Sequence, residues 1–407
     1  MNVSRAFFEF APANGVGMGT ECACTTPTGS RLEALTFSRA SVAECPSADG
    51  QKLTQCASGQ PRVSSGAVDQ TILGLWQEDA RTNLALQARD WSQLVWTKTS
   101  MTCARTANGM RNADANGAST CTSSAINGTA LQAITLTIQA FAASYRIKRR
   151  TGTGTVGVTV DGTTFTDVAS SLSSVEWRWV VPAEIPGCTS STAPTGSKCI
   201  VVPGLSTTAA NPTIGIRLGT SGDAVDVDFA QLEASTAGTA TSPIETTAGS
   251  ATRIVELPDV AISPTLALGF CAAATTVSQV TSLKRLNGAP GSGTPGVATG
   301  SVSYVDSFYS AGWTAETTAT SPVSSATGVT TTTPVNRAVT FYDGSKLNGC
   351  LNATCGAGTA ATYTPPTWTR FRLGLYDTTA GANGGHVNGV IREVQLDPSF
   401  SLCRRSL

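Results

Sequence analysis

One histidine in 407 residues removes much of the proton chemistry that side chains perform near neutral pH. His386 stands alone in the turn Gly384-Gly385-His386-Val387-Asn388. Neither a Ser-His-Asp nor a Cys-His site can be assembled around it, and it reads as a surface loop residue. Charge is scarce too: 27 basic and 27 acidic residues cancel to a formal net charge of zero, and charged residues are 13% of the chain. A nucleic-acid binder carries a basic excess, so no nucleic-acid partner is expected. The one basic cluster, Arg146-Ile147-Lys148-Arg149-Arg150, reads as a solvated strand end or a subunit contact. No apolar run approaches the ~18 residues of a membrane span. Met1–Gly15 is broken by Arg5, Glu9 and Pro12 and holds no signal-peptide core. Neither a phosphate loop nor a dinucleotide glycine fingerprint occurs. The expectation is a protein with no catalytic residues, no cofactor and no membrane insertion.

What is abundant is glycine, alanine, serine and threonine, a composition that favours short strands joined by tight turns. Thr155-Val156-Gly157-Val158-Thr159-Val160 alternates apolar and polar, Asp161-Gly162 is a hairpin turn, and Phe165 starts the return strand. Leu131–Phe141 alternates over most of its length and is expected as one strand. Val175–Val181 places Trp177 and Trp179 on one face at i, i+2; inward they are core, outward they could stack on sugar rings, and core is the reading taken. Thr213–Leu218 and Ala224–Leu232 complete the pattern. Within the last of these, Asp226 and Asp228 share the face away from the core. Hard oxygens so placed could hold Ca²⁺, though a solvated strand face accounts for them without a metal.

Twelve cysteines are present. Cys45/Cys56, Cys103/Cys121, Cys188/Cys199 and Cys350/Cys355 lie at loop-closing separations, which reads as a disulfide framework. Cys22-Ala23-Cys24 has no second close pair at zinc-finger spacing, and the pairing of Cys22 and Cys24 stays open. Disulfides without a secretion signal conflict with a protein that stays in a reducing cytoplasm. A protein made there that later persists outside the cell resolves the conflict.

The chain is organised around Gly74–Leu84. An apolar run, Thr71–Trp76, is expected as a buried strand, and the polar set Gln77, Glu78, Asp79, Arg81, Thr82 and Asn83 follows it. Such a set beside a core must pair with itself or with backbone. Arg81 is its expected centre, because a planar guanidinium takes a carboxylate and carbonyls together. Glu78, Arg81, Thr82 and Asn83 therefore read as a structural latch rather than a ligand site.

This stretch resembles a "G-L-hydrophobic-x-E-x-A-R-T-N-L" signature of tailed-bacteriophage virion proteins, usually tail or fibre components with lectin-like β-sandwich domains. Leu35–Ser41 is similar to that group's "TFTRAS" opening, Pro61-Arg62 to its "PR", and Asp90-Trp91-Ser92 through Trp96-Thr97-Lys98 to its "DFSNAAWTK". Phe229–Glu233 with Pro243–Thr246 resembles "GAQLE…SYIPT", and Ala251-Thr252-Arg253 resembles "VTR". The likeness runs in order over residues 30–256; the cysteine content is a departure from it. Phe371–Tyr376 and Gly389–Leu396 more loosely resemble the last strands of concanavalin A-like jelly rolls. First and last strands are neighbours in such folds, so this resemblance implies a Cys271–Cys403 bridge.

The expected architecture is all-β, with two β-sandwich, lectin-like jelly-roll domains. Residues 1–34 form an irregular docking arm, 35–256 the motif region and first sandwich, and 257–407 the second sandwich, with residues 234–250 as a linker. Strands of the second unit are expected at Leu266–Ala272, Gly300–Val305, Ala338–Tyr342, Thr369–Tyr376 and Gly389–Leu396. The resemblance implies a virion component, as tail, fibre or capsid decoration, that assembles with other virion proteins and as a homo-oligomer. The alternative is a glycan-binding module gripping host-surface sugars through Trp96, Tyr309, Trp313, Trp368 or Tyr376. A polysaccharide depolymerase is the distant option. Such an enzyme needs two carboxylates flanking a sugar cleft, and Glu78/Asp79, Asp223/Asp226 and Asp226/Asp228 are merely close in sequence.

Overall fold

The computed structural model describes residues 39–45, 53–60, 62, 78, 80–111, 114–183, 199–235, 238 and 240–254 with their side chains, and strands elsewhere between residues 6 and 397 by their backbone. These residues are nearly all β, with two short 3₁₀ turns, Ala169–Ser171 and Pro203–Leu205. The N-terminal part contributes β1 (Ala6–Glu9), β2 (Leu35–Ser38), β3 (Ala43–Pro46), β4 (Leu53–Cys56), β5 (Val63–Ser64) and β6 (Gly74–Gln77). β3 and β4 form a hairpin closed by the Cys45–Cys56 disulfide.

The central part begins with β7 (Arg81–Asn83), β8 (Thr97–Thr99), β9 (Met101–Ala107), β10 (Ala118–Ser123), β11 (Gly128–Ala133) and β12 (Gln139–Thr151). It continues with β13 (Val156–Thr159), β14 (Thr166–Asp167), β15 (Arg178–Val181), β16 (Cys199–Val201), β17 (Ser206–Ala209), β18 (Thr213–Leu218), β19 (Ala224–Ala234) and β20 (Ala251–Arg253). Two sheets result: β16-β15-β12-β19-β10-β9, with β17 also on β12, and β14-β13-β18-β11-β8. One core lies between them, built from Tyr145, Ile147, Val225, Val227 and Leu232 on the first sheet and Ala130, Val156, Val158, Ile214 and Ile216 on the second. The alternation of apolar and polar residues puts these on the inner faces. Trp91 and Trp96 close its end, stacked at 3.8 Å and 8°.

The turn after β13 is built on Asp161-Gly162 as the sequence reads, while the return strand β14 starts at Thr166 and not at Phe165. Asp161 Oδ1 accepts from the amides of Thr163 and Thr164, and Gly162 takes φ +76°. These bonds hold the Asp161 carboxyl well below the usual range, against the small effect of its burial. The expected strand Leu131–Phe141 is instead two strands. β11 ends at Ala133, and Ile134 and Leu136 donate to Pro212 O and Asn211 Oδ1 in a crossing between the sheets. Isoleucines at 134 and 138 imitate strand alternation, yet Ile138 faces solvent.

The third part opens with β21 (Leu257–Ala261) and β22 (Phe270–Thr276) and ends on the strand Gly389–Asp397. Its strands form two further sheets, which also take in the N-terminal strands. β1 pairs with Gly389–Asp397 in the register Phe8↔Val394, β6 pairs with the same strand through Trp76↔Val390, and β2 pairs with β21. The borders expected at 34/35 and 256/257 are therefore not sheet borders. The first sandwich is inserted between two stretches that share sheets, because strand edges from both ends of the chain satisfy each other's backbone groups. Where the chain passes into and out of the insert, β7 and β20 pair, Thr82 opposite Thr252.

Candidate functional site

Several of the stretches that carry the resemblance, with Arg62, Glu78, Asn83, Gln231, Glu233, Ile244 and Arg253, meet on the outer face of β19. A bulge sets up this face: between Arg146↔Asp228 and Ser144↔Gln231 the register with β12 shifts, and Phe229 adopts φ +46°. The extra residue turns Asp226, Asp228, Phe229, Gln231 and Glu233 outward while Val227, Ala230 and Leu232 stay in the core.

Segment 240–246 lies along this face and is fastened to it. Glu233 accepts from the Thr241 amide at 2.8 Å and from its hydroxyl. Gln231 accepts from the Ile244 amide at 2.8 Å. Asn83 donates to Ala230 O (3.0 Å) and Ile244 O (2.8 Å) and accepts from the Ala85 and Leu232 amides, each at 3.0 Å. Thr246 donates to Ala85 O. Residues 234–250, expected as a linker, include this buried strap: short polar side chains suit a flexible linker or a strap locked by hydrogen bonds, and composition does not separate them.

Glu78, not Arg81, is the centre of the latch. Arg62 Nη1 and Arg253 Nη1 approach its Oε2 at 2.8 and 3.2 Å. The Ser242 amide donates to its Oε1 at 2.5 Å, and the Ser242 hydroxyl donates to Oε2. Burial by itself would raise this carboxyl; Arg253, Arg62 and Ser242 together bring it from 4.5 down to about 2. Arg81 is half-buried and donates to Ala234 O at 2.8 Å, while Thr82 shares a 2.7 Å hydrogen bond with Thr252. Two arginines outcompete one because a fully buried carboxylate needs its charge matched from more than one side. Arg253 lies far from Glu78 in sequence, and Arg62 stands before β5 with no helical or strand spacing to Glu78, so no local periodicity reveals them. Asp79 lies outside the described residues.

Chemically, Ser242 has a carboxylate and two guanidinium groups around its hydroxyl, an arrangement that superficially suits a nucleophile. It is fully buried, and a carboxylate with a value near 2 is a weak base at neutral pH. Its chemistry is that of a lock.

Beside the latch lies a second ionic group. Asp228 takes Arg89 in a forked pair (Nε 2.7 Å, Nη2 3.2 Å) and the Met110 amide at 2.8 Å. Arg89 also meets Asp114 at 2.6 Å and lies over the Phe229 ring at 4.6 Å. Although burial opposes it, these carboxylates raise the Arg89 value further. Asp226 accepts from Thr120 at 2.8 Å and Arg150 at 3.2 Å, with Lys148 at 3.4 Å. Both aspartates are thus buried and matched by cations. This overturns the solvated-face reading and leaves Asp226 and Asp228 no role as Ca²⁺ ligands. Among the described residues no group of three or more His, Cys, Asp or Glu side chains could hold a metal.

The basic cluster runs from the interior to the surface, with Arg146 buried, Lys148 and Arg149 half-buried and Arg150 exposed. Arg146 lies over Trp179 at 3.6 Å and Lys148 near Trp177 at 5.1 Å, and burial lowers the Arg146 value. The two tryptophans are buried as expected, but on the outer face, where Trp177 packs with Leu53, Met110 and Phe229 under the β3–β4 hairpin.

Trp96 is no sugar platform: it is 0% exposed, stacked on Trp91, and its indole donates to Gln87 O. Tyr309 and Trp313 fall in paired strands, Tyr304–Tyr309 and Gly312–Thr317, where Phe308 is opposite Trp313 and Tyr309 opposite Gly312. Positions 309 and 313 therefore alternate to opposite faces of that hairpin. Trp368, Tyr376 and His386 lie outside the described residues.

Of the cysteine pairs, Cys45–Cys56 and Cys103–Cys121 are bonded. Cys199 is disulfide-bonded, while Cys188 lies outside the described residues, as do Cys22, Cys24 and Cys403. Cys350 and Cys355 are register partners on adjacent strands. Cys271, on β22, stands opposite Asp397 of the last strand.

No family model matches the chain, and no curated protein matches it. Among solved structures, Trypanosoma rangeli sialidase in complex with 2,3-difluorosialic acid (a covalent intermediate) is 15% identical over 32% of this chain and 20% of its own, with a TM-score of 0.25. The same sialidase with the inhibitor DANA is 14% identical over 36% of this chain and 26% of its own, with a TM-score of 0.24. The chain spans about a fifth to a quarter of those structures, and a likeness of that extent assigns neither fold nor activity.

Proposed function

We propose that the protein is a structural component of a bacteriophage virion, a tail, fibre or capsid decoration protein that works by protein–protein assembly. In this reading its partners are other virion proteins and further copies of itself, with host-surface attachment as an added role. The observation that carries the reading is where the motif's polar residues go. Glu78, Asn83, Gln231, Glu233 and Arg253 are all committed to a buried seam, which supports structural work for the signature. A zero net charge and a surface of small polar residues suit a particle component that must avoid adventitious adhesion. Disulfides on adjacent strands suit a chain made in the host cytoplasm and oxidised after release.

The test is to image purified extracellular particles at near-atomic resolution and to identify the chain by mass spectrometry on the same sample. Symmetric copies with oxidised cysteines are expected, and their position on shell or tail separates decoration from attachment. Absence from particles, or a free monomer with reduced thiols, overturns the reading.

A further inference from the structure

Among the described residues the β3–β4 hairpin sits on the outer face of the first sandwich through a backbone link, the packing of Leu53 against Met110, Trp177 and Phe229, and an ionic cluster. The link is Leu53 N–H to Met110 O at 2.7 Å. In the cluster, Arg111 Nη2 serves two carboxylates at once, donating to Glu44 Oε1 of the hairpin and to Glu245 Oε2 at 2.7 Å. Arg89 reaches Glu245 at 3.6 Å and is shared with Asp114 and Asp228. Among the described residues, four carboxylates (Glu44, Asp114, Asp228, Glu245) thus face two guanidinium groups (Arg89, Arg111). Among the described residues Arg39 also lies near the hairpin, donating to the carbonyls of Ser41 and Ala57. Glu44 is 3% exposed, and its Oε2 has no hydrogen-bond partner among the described residues. A buried carboxylate oxygen without a donor is costly when ionised and comfortable when it carries a proton.

We propose that the β3–β4 hairpin is a proton-controlled clamp: a proton on Glu44 Oε2 fastens it to the first sandwich, and loss of that proton loosens it. The protonated Glu44 is neutral, relieves the excess negative charge beside Glu245, and leaves the Arg111 charge to Glu245. Burial raises the Glu44 carboxyl above 4.5, more than Arg111 lowers it, and the neighbouring Glu245 adds to the rise. A carboxyl raised in the docked state binds its proton more tightly docked than free. Docking is therefore strongest below the ordinary glutamate value and weakens as pH rises through the raised one. This inference does not depend on the virion reading.

The Leu53 amide reports docking, since its bond crosses to the sandwich. Hydrogen exchange of the full-length, oxidised protein, corrected for intrinsic rates, compares its protection at pH 5 and pH 8. Protection in the wild type should fall from pH 5 to pH 8, because a proton held more tightly docked than free favours docking only while it is bound. Glu44→Gln, which imitates the protonated side chain, should hold the pH 5 level at both pH values. Glu245→Gln, which removes the neighbouring charge and leaves the hairpin unchanged, should shrink the fall. Equal wild-type protection at both pH values, or an undiminished fall in either variant, overturns the clamp.

Discussion

Asn83 closes four hydrogen bonds with one side chain, joining the start of the first sandwich to β19 and to the strap. Asn83→Ala would leave buried backbone groups on three stretches without partners, each worth roughly 1–3 kcal/mol. A loss of at least ~3 kcal/mol is expected in urea denaturation. Glu78 yields a pH signature. Its carboxyl is near 4.5 unfolded and about 2 folded, so the stability it contributes is complete above ~4.5 and disappears as pH falls through 2. At roughly 1.4 kcal/mol for each tenfold change in proton affinity, that contribution is about 3 kcal/mol. Denaturation curves between pH 2 and 7 should show this acid limb. Glu78→Gln should lack it and be weaker by roughly 3–5 kcal/mol at neutral pH, with two buried guanidinium groups left unmatched. Gly109 is needed for its size: a methyl group there would meet Arg89 Nη2 and crowd Asp228. Gly109→Ala should therefore cost on the order of 1–3 kcal/mol, measured the same way.

Among elements, the disulfides staple neighbours rather than domains. Cys103 and Cys121 are register partners on β9 and β10, eighteen residues apart. A loop of that size is worth ~3 kcal/mol of unfolded-chain entropy. Cys103→Ser with Cys121→Ser, or reduction of the wild type, should lower the melting temperature while leaving both sheets of the first sandwich assembled by circular dichroism. The strands read best from sequence were those with one face in the core. β18 matches the expected span, and β19 runs only two residues past its expected end, because alternation there reflects a real inside and outside. The bulge in β19 was illegible. It places Asp228 and Phe229 on one side; Asp226 and Asp228 do share the outer face as expected, and the solvated-face reading fails because that face is covered and both carboxylates are paired.

At the scale of the whole molecule, both ends of the chain share sheets around an inserted sandwich. Deleting residues 1–9 removes the partner of the strand Gly389–Asp397 along Glu393–Leu396. Amides 393–396 should then exchange faster, with the core of the first sandwich unchanged. Equal exchange would mean that β22 on the other side suffices. The all-β class was set by the sequence itself: small and β-branched residues, frequent turns and short alternating runs leave no helix-forming face. It also implied that a polar set beside apolar strands must be satisfied internally, without naming Arg62, Ser242 or Arg253 as the partners of Glu78. Only the tertiary structure decided the latch's centre. Charge matching of Glu78 depends on Arg62, just before β5, and on Arg253, which reaches the latch because β20 pairs with the distant β7, and nothing local to Glu78 encodes that long-range contact.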